Sequence, residues 1–445
     1  MADNIVAIDL GTSHLTGIVG EKNANGTFSI VACETVETEN CIHRGIIYNS
    51  DSTAKHVNDL VRKLERHLNG NFIDRIYVGV GGQSLRTIDH VETMDIQEGM
   101  TVTEDDIDYL KEKCRKYKPD LLDVLGMAPA VYYRDGQKEE KPVGVWCKRF
   151  EARYKLVVGR AMIRNTIKNS IEAIAGIELA GIIVSPLALA DAVLSQNDKE
   201  LGCALVDFGA GVTSVSIYKD GDLQHLCVIP LGGKLITRDI TSLQLTEVEA
   251  ERLKKGKGSV IVRPEDENKF IQVETESRNH EIKLSDLNAV IEGRAKEIVN
   301  NVYARICDVI DPKRLGSGIV LAGCAYELSN LPELLKDKCN VIVLPSTIQR
   351  GLVQGADEIL GNPLYMMAVS LMLKGTETCV SHAVVAITPD ENVNPVHVNE
   401  ENNIEKDKNK NKIRKGKLDK TPKESGKGWK EKINGIFATD LFKET

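Results

Sequence analysis

One local device occurs twice in this chain. An apolar run ends in Asp-x-Gly, a few small residues follow, and a second apolar run begins. The first copy is IVAIDLGTSHLTGIVGE, with Ile5 to Ile8 before Asp9 and Leu15 to Gly20 after the DLGTSH turn. The second is ALVDFGAGVTSVSIYKDGDL, with Gly202 to Asp207 before Phe208-Gly-Ala-Gly and Val212 to Tyr218 after it. Each copy reads as a strand, a tight turn and a returning strand. Repetition of one supersecondary unit so far apart in the chain predicts two related halves that face each other. A third apolar run, Gly316 to Ala322, ends in Gly323-Cys324-Ala325.

These turns have a chemical use. Glycine lets a phosphate approach the backbone, and successive N–H groups form a concavity for anions. Aspartate at the strand end supplies an oxygen, often through water, to the hard cation that accompanies phosphates. Asp9 with Gly11, Thr12 and Ser13 fits this chemistry, and so does Asp207 with Gly209, Gly211 and Thr213. One such turn alone is as good a hairpin as a site; two, plus a third glycine turn, point to a phosphate ligand.

Between the turns the pattern alternates helix and strand. Val57, Leu60, Val61, Leu64 and Leu68 fall on one helical face, and Arg75 to Val80 is a strand ending in glycines. Ile163 to Ile174 is a helix with Ile167, Ile171 and Ile174 on one face, followed by the strand Ala180 to Val184. VGVGGQSL is read as a strand end at a subdomain boundary. KKGKGSV (Lys254 to Val260) lacks the spacing of a P-loop and is read as a solvated loop.

Composition removes other classes. Of 445 residues, 57 are Lys or Arg and 65 Asp or Glu, a net charge of −8 that argues against a nucleic-acid partner. MADNIVAIDLG has neither a basic n-region nor an apolar h-region, so no secretory signal is expected. No apolar stretch is long enough to span a bilayer. The ten cysteines show no CxxC spacing and are expected to be reduced, mostly buried thiols of a cytosolic protein. The nine histidines show no paired ligand spacing, so no metal beyond Mg²⁺ is expected.

The C-terminal part differs in character. Residues 388–426 are rich in Asn, Lys, Glu and Pro and read as disordered linker. Beyond it, Trp429, Ile433, Ile436, Phe437 and Leu441 form one helical stripe bordered by Phe442, with Lys427, Lys430 and Lys432 beside it. Such a helix suits a membrane interface, the reading favoured because the polar linker frees it from the body; the alternative is a groove on its own protein or a partner. Residues 406–432 hold twelve Lys/Arg and four Asp/Glu, a net of +8, so the rest of the chain carries −16. That basic stretch would favour an anionic membrane surface, or serve as a solvated spacer.

The two Asp-x-Gly motifs, together with GIVLAGCAYELSNLPEL, resemble the phosphate and adenosine motifs of the actin-like ATPase superfamily. Within it the chain most resembles the FtsA family of bacterial cell-division proteins, over nearly its whole length. The resemblance rests further on QHLCVIPLGGKLITRDI, EAERLK, KPVGVWCKRFEARYKLVV and the tail. It implies an α/β, actin-like (ribonuclease H-like) two-lobed ATPase fold with an inserted FtsA-type subdomain, a disordered linker and a C-terminal amphipathic helix. The implied layout is subdomain 1A at 1–83 and 160–200 and subdomain 1C at 84–159. Subdomain 2A takes 201–227 and 301–385, subdomain 2B 228–300, the basic linker 386–426 and the helix 427–445.

By position, the resemblance implies that Asp9 and Asp207 organise Mg²⁺ through water. Gly11, Thr12, Ser13, His14, Gly209, Ala210, Gly211 and Thr213 would line the ATP phosphates. Glu251 and Lys254 would reach ribose and base, and Gly323 and Cys324 would pass the adenine and α-phosphate. Two departures stand out: His14 where the family often has Lys, and Cys324 where the adenosine motif often has a second Gly. Hydrolytic relatives carry a Glu or Gln in the segment IVSPLALADAVL, whereas this chain has Ser185, so slow ATP turnover at most is expected. The implied function is a polymerising adaptor that tethers the FtsZ C-terminal peptide to the cytoplasmic face of the bacterial inner membrane at the division site. Its partners would be other copies of itself and other divisome proteins. Arg294, on the expected helix Ile291 to Ile306, is the candidate contact to that acidic peptide. The alternatives are a pilus-assembly relative and a kinase or chaperone ATPase of the same superfamily.

Overall fold

The computed structural model describes residues 3–274 and 279–381. The linker and tail helix expected at 386–445, with Trp429, Ile433, Ile436, Phe437, Leu441 and Phe442, lie outside the described residues.

The first half is built on the hairpin of strands Asp3–Leu10 and His14–Lys22. Their register pairs Asp9 with Thr16 and Leu10 with Leu15, which leaves Gly11 to Ser13 as the turn. Ile5 to Ile8 are all buried, because this strand is central in a six-stranded sheet and covered on both faces. Strand Phe28–Glu37 continues the hairpin on one side; Arg75–Val80 and then Glu178–Val184 add parallel strands on the other. Helix Ser50–Glu65 covers one face with Val57, Leu60, Val61 and Leu64, and the Asn49 side chain caps it. Leu68, expected on the same stripe, is buried just beyond the helix end. Helix Pro363–Met372 also packs on the central hairpin.

The second half repeats the plan. Strands Cys203–Phe208, Thr213–Lys219 and Asp222–Ile229 form an antiparallel meander. Phe208 pairs with Thr213, so Gly209 to Val212 form the turn. Gly318–Ala322 lies parallel to the first of these strands, with Asp207 opposite Ala322. Helices Gly233–Ile240, Glu247–Lys257 and Leu284–Cys307 bury Ile236, Ile240, Leu253, Ile291, Ile298 and Val302 in a second core. The segment read as a solvated loop is partly helical: Lys254 to Lys257 complete helix Glu247–Lys257 and Val260 is buried. A Gly at position 256 hid that continuation, and the Thr246 capping box had already set the helix in register.

Residues 86–160 form a separate small layer. Strands Arg86–Asp95 and Arg149–Arg160 pair along their length, and helix Glu104–Arg115 covers them. Phe150, Tyr154, Leu156, Leu110 and Cys114 make its own core. This layer is not a free appendage. Its sheet joins that of the second half where Arg86 bridges Cys227, the Val228 N–H donates to the Leu85 carbonyl (3.1 Å), and the Leu226 N–H donates to Thr87 Oγ1 (3.0 Å). Lys138 and Asp222 add an ion pair at 2.5 Å. The result is one ten-stranded sheet.

All ten cysteines are free, and six are buried; Cys307 and Cys324 are exposed. Among the described residues, no helix is long and apolar enough to cross a membrane.

Candidate functional site

The two hairpin turns meet. A Cβ on Gly211 would overlap Thr12 Oγ1 and crowd the Thr12 Cβ and Cγ2 at 2.8 Å, so only glycine lets the second turn rest against the first. Thr12 is held from inside its own half: the Gly45 N–H donates to its hydroxyl (2.9 Å), and the Thr38 hydroxyl donates to its carbonyl (2.7 Å). The Thr38 N–H donates to the Ser13 carbonyl (3.1 Å). The second turn is tied to the start of helix Gly233–Ile240. There the Gly233 N–H donates to the Gly209 carbonyl (3.0 Å) and the Lys234 N–H to the Ala210 carbonyl (2.8 Å). These contacts orient the turns as a continuous backbone wall.

Asp9 and Asp207 stand at the strand ends just before these turns. Burial, and then the charge of Asp207, push the Asp9 carboxyl up to about 7; burial pushes Asp207 up to about 6. Two desolvated carboxylates near each other are the mark of a place built for positive charge. Gly323, at φ +84°, lies directly beneath Asp207; a Cβ there would overlap its carboxylate and the Phe208 carbonyl. Among the described residues no cluster of three or more His, Cys, Asp or Glu side chains could enclose a metal ion. The two carboxylates suit a hydrated hard cation such as Mg²⁺, whose remaining ligands would be phosphates and water.

The flanking positions divide in two. Ser13 Oγ lies 3.1 Å from His14 Nδ1, and the His14 ring stays below its usual pKa. Burial is the main cause; Lys255 and Lys234 add to it against Glu37 and Glu251. Burial thus disfavours the charged form of His14. Cys324 opens the short turn after Gly323; desolvation by the surrounding walls, then Asp207, push its thiol up to about 11. It is a passive thiol there.

Three of the residues expected at the ligand also make bonds within the framework. Thr213 is fully buried and its hydroxyl donates to the Leu231 carbonyl (2.9 Å), so it braces the turn. Lys254 has a side chain only 12% exposed. Its ammonium donates to Glu251 (2.6 Å), Thr237 Oγ1 (2.8 Å) and the Gly233 carbonyl (3.2 Å). It thus anchors the start of the helix behind the second turn. Glu251 also accepts from Thr237. Burial would raise its carboxyl, but Lys254, Thr237 and Lys255 outweigh that and hold it below the usual range. Arg294, 24% exposed, donates from Nε to Asp239 (2.6 Å) and pairs with Glu297, which hold its pKa up.

Ser185 is buried at the start of helix Ser185–Val193, and its hydroxyl has no hydrogen-bond partner among the described residues. A Cβ at Gly79 would sit 2.6 Å from that hydroxyl. Sequence reasoning missed Gly45, Thr38, Gly233 and Asn40. The last accepts a hydrogen bond from Lys234 Nζ at 2.9 Å. The Gly232-Gly233 pair was a usable signal; the loop contacts of Thr38 and Asn40 left none.

Two family models match the chain. One, described as "Cell division protein FtsA", covers residues 204–411; the other, "SHS2 domain inserted in FTSA", covers residues 82–158. The Cell division protein FtsA of Porphyromonas gingivalis is 32% identical over 380 residues, 84% of this chain and 79% of that one. That of Bacillus subtilis is 28% identical over 82% of each chain. A solved structure titled "PilM-PilN type IV pilus biogenesis complex" shares the fold at a TM-score of 0.58 and 15% identity, covering 83% of this chain and 97% of that one.

The paired carboxyls set a pH dependence. Their folded pKa values of about 7 and about 6 exceed the unfolded value of 3.8, so the folded chain binds the extra protons. The stability this lends is full below about 4 and is lost as pH rises through about 6 to 7. Without nucleotide or Mg²⁺, Asp9→Asn therefore melts closest to wild type near pH 4 and furthest above it at pH 8. An equal difference at both pH values in thermal melts would refute the desolvated pair.

Proposed function

The chain belongs to the FtsA family of cell division proteins, and from that premise we propose that it is an ATP-binding, actin-like adaptor working at the inner membrane. The observation that carries the nucleotide part is the contact of Gly211 with Thr12 beneath the Asp9–Asp207 pair. It presents two backbone turns and two desolvated carboxylates to one space. In this reading Gly11, Ser13, Gly209, Ala210 and Gly211 offer backbone and hydroxyl donors to the phosphates. Asp9 and Asp207 hold the hydrated Mg²⁺, which supplies charge neutralisation for the phosphates when bound. Gly323 and Cys324 border the nucleoside. Thr12 and Thr213 complete the turns at the phosphates, and Glu251 and Lys254 reach ribose and base while bracing the helix at Gly233.

Turnover is slow in this account. Ser185 offers neither carboxylate nor amide to orient a water, so nucleotide acts mainly as a ligand for conformation and assembly. That feature disfavours the kinase reading. The pilus-assembly reading shares only the fold, at 15% identity.

The domain layout follows the family: 1A at 1–83 and 160–200, 1C at 84–159, 2A at 201–227 and 301–385, and 2B at 228–300. The linker at 386–426 and helix at 427–445 complete it. Helix Leu284–Cys307 in 2B is the face for the acidic FtsZ C-terminal peptide. Arg294 joins that contact by exchanging Asp239 and Glu297 for peptide carboxylates. The 1C layer serves self-assembly and contacts with other division proteins, and the tail helix docks on anionic lipid.

Two measurements test this. Removal of residues 427–445 abolishes sedimentation with anionic liposomes; unchanged sedimentation sinks the membrane role. Full-length protein retains an immobilised FtsZ C-terminal peptide, and Arg294→Glu reduces retention about tenfold, the size of losing a charge-assisted contact. No retention of the peptide by wild type removes the adaptor reading.

A further inference from the structure

Lys234 is the second residue of helix Gly233–Ile240, and its backbone is tied to the second turn through Ala210. Its side chain leaves that half and reaches Asn40 Oδ1 in the first half at 2.9 Å. Asn40 sits in the loop that also supplies Thr38, the residue fastening Thr12 and Ser13. Glu39 and Asn40 hold consecutive left-handed backbone angles, φ +42° and +64°, and the Cys41 N–H closes the loop on the Thr38 carbonyl (2.8 Å). One lysine thus links the two segments that position both turns.

The charge of this link is unbalanced. Among the described residues no carboxylate lies within ion-pairing distance of Lys234, and a neutral amide is its side-chain partner. The first turn carries no lysine or arginine of its own, and burial disfavours the charged form of His14. The bond to Asn40 brings the ammonium to the loop that fastens the first turn, while its backbone is tied to the second. Bonds from an ammonium to an anionic oxygen are roughly twice as strong as bonds to a neutral acceptor. A phosphate entering between the turns therefore competes well for Lys234.

We propose that Lys234 is the cation for the terminal phosphate in this cleft, and that its bond to Asn40 is a latch between the two halves which a nucleoside triphosphate displaces. The inference rests on the nucleotide reading above and adds to it a residue that tells triphosphate from diphosphate.

Calorimetry of the full chain with Mg-ATP and with Mg-ADP tests it. Lys234→Met and Lys234→Gln each weaken ATP binding about tenfold more than ADP binding, the effect of one charge-assisted bond. Gln can still reach Asn40, so a folding defect in the Met variant does not hide the result. Lys234→Arg keeps most of the ATP preference, and Asn40→Ala leaves ATP binding equal or tighter because the competitor is gone. Equal losses for ATP and ADP, or an Asn40→Ala loss as large as that of Lys234→Met, reduce Lys234 to a strut and overturn the proposal. Wild-type protein binding neither nucleotide overturns the cleft reading itself.

Discussion

Two carboxylates held out of water beside each other are the interaction on which this structure turns. Asp9 and Asp207 repel, and both pay for desolvation, as their raised pKa values record. Packing alone does not favour such a pair, because desolvation and like-charge repulsion both oppose it. The pair persists because each aspartate closes a strand buried on both faces, and each strand is locked by an antiparallel neighbour one turn away. Stability is stored in the two cores and spent at the place where they meet.

The supports around the pair are arranged in depth. Thr12 is fixed by Gly45 and Thr38, and the Gly209–Ala210 carbonyls are fixed by the first residues of the next helix. Lys254 and Glu251 pair beside that helix, and their hydrogen bonds to Gly233 and Thr237 hold its first turn in place. The inserted layer enters the same framework through the strand junction at Arg86 and Cys227. That junction joins the outer layer to the sheet that carries Asp207.

The parts of this arrangement that depend on nearest neighbours in sequence could be read from it. Apolar runs ending in Asp-x-Gly gave both hairpins within two residues, and the 3.6-residue spacing of Val57, Leu60 and Leu64 gave the covering helix. Side-chain direction could not be read this way. Thr213 follows its turn in the strand register that points inward, and Lys254 lies on the helix face that meets Thr237, so motif position alone did not show the framework bonds that both make. The sheet junction and the Lys234–Asn40 bond join residues far apart in sequence, and no periodicity encodes such pairs. The family models reinforce the division of labour: one spans the inserted layer at 82–158, the other the second half and beyond at 204–411.

The central claim is that the facing aspartate turns form a Mg-nucleotide site. A calorimetric titration of Mg-ATP into wild type and Asp207→Ala, with folding of the variant checked by its thermal melt, tests it most directly. The account predicts saturable, Mg²⁺-dependent binding by wild type and a loss of about tenfold or more in the variant, on the scale of a charge-assisted contact removed. Wild-type affinity in Asp207→Ala would contradict it.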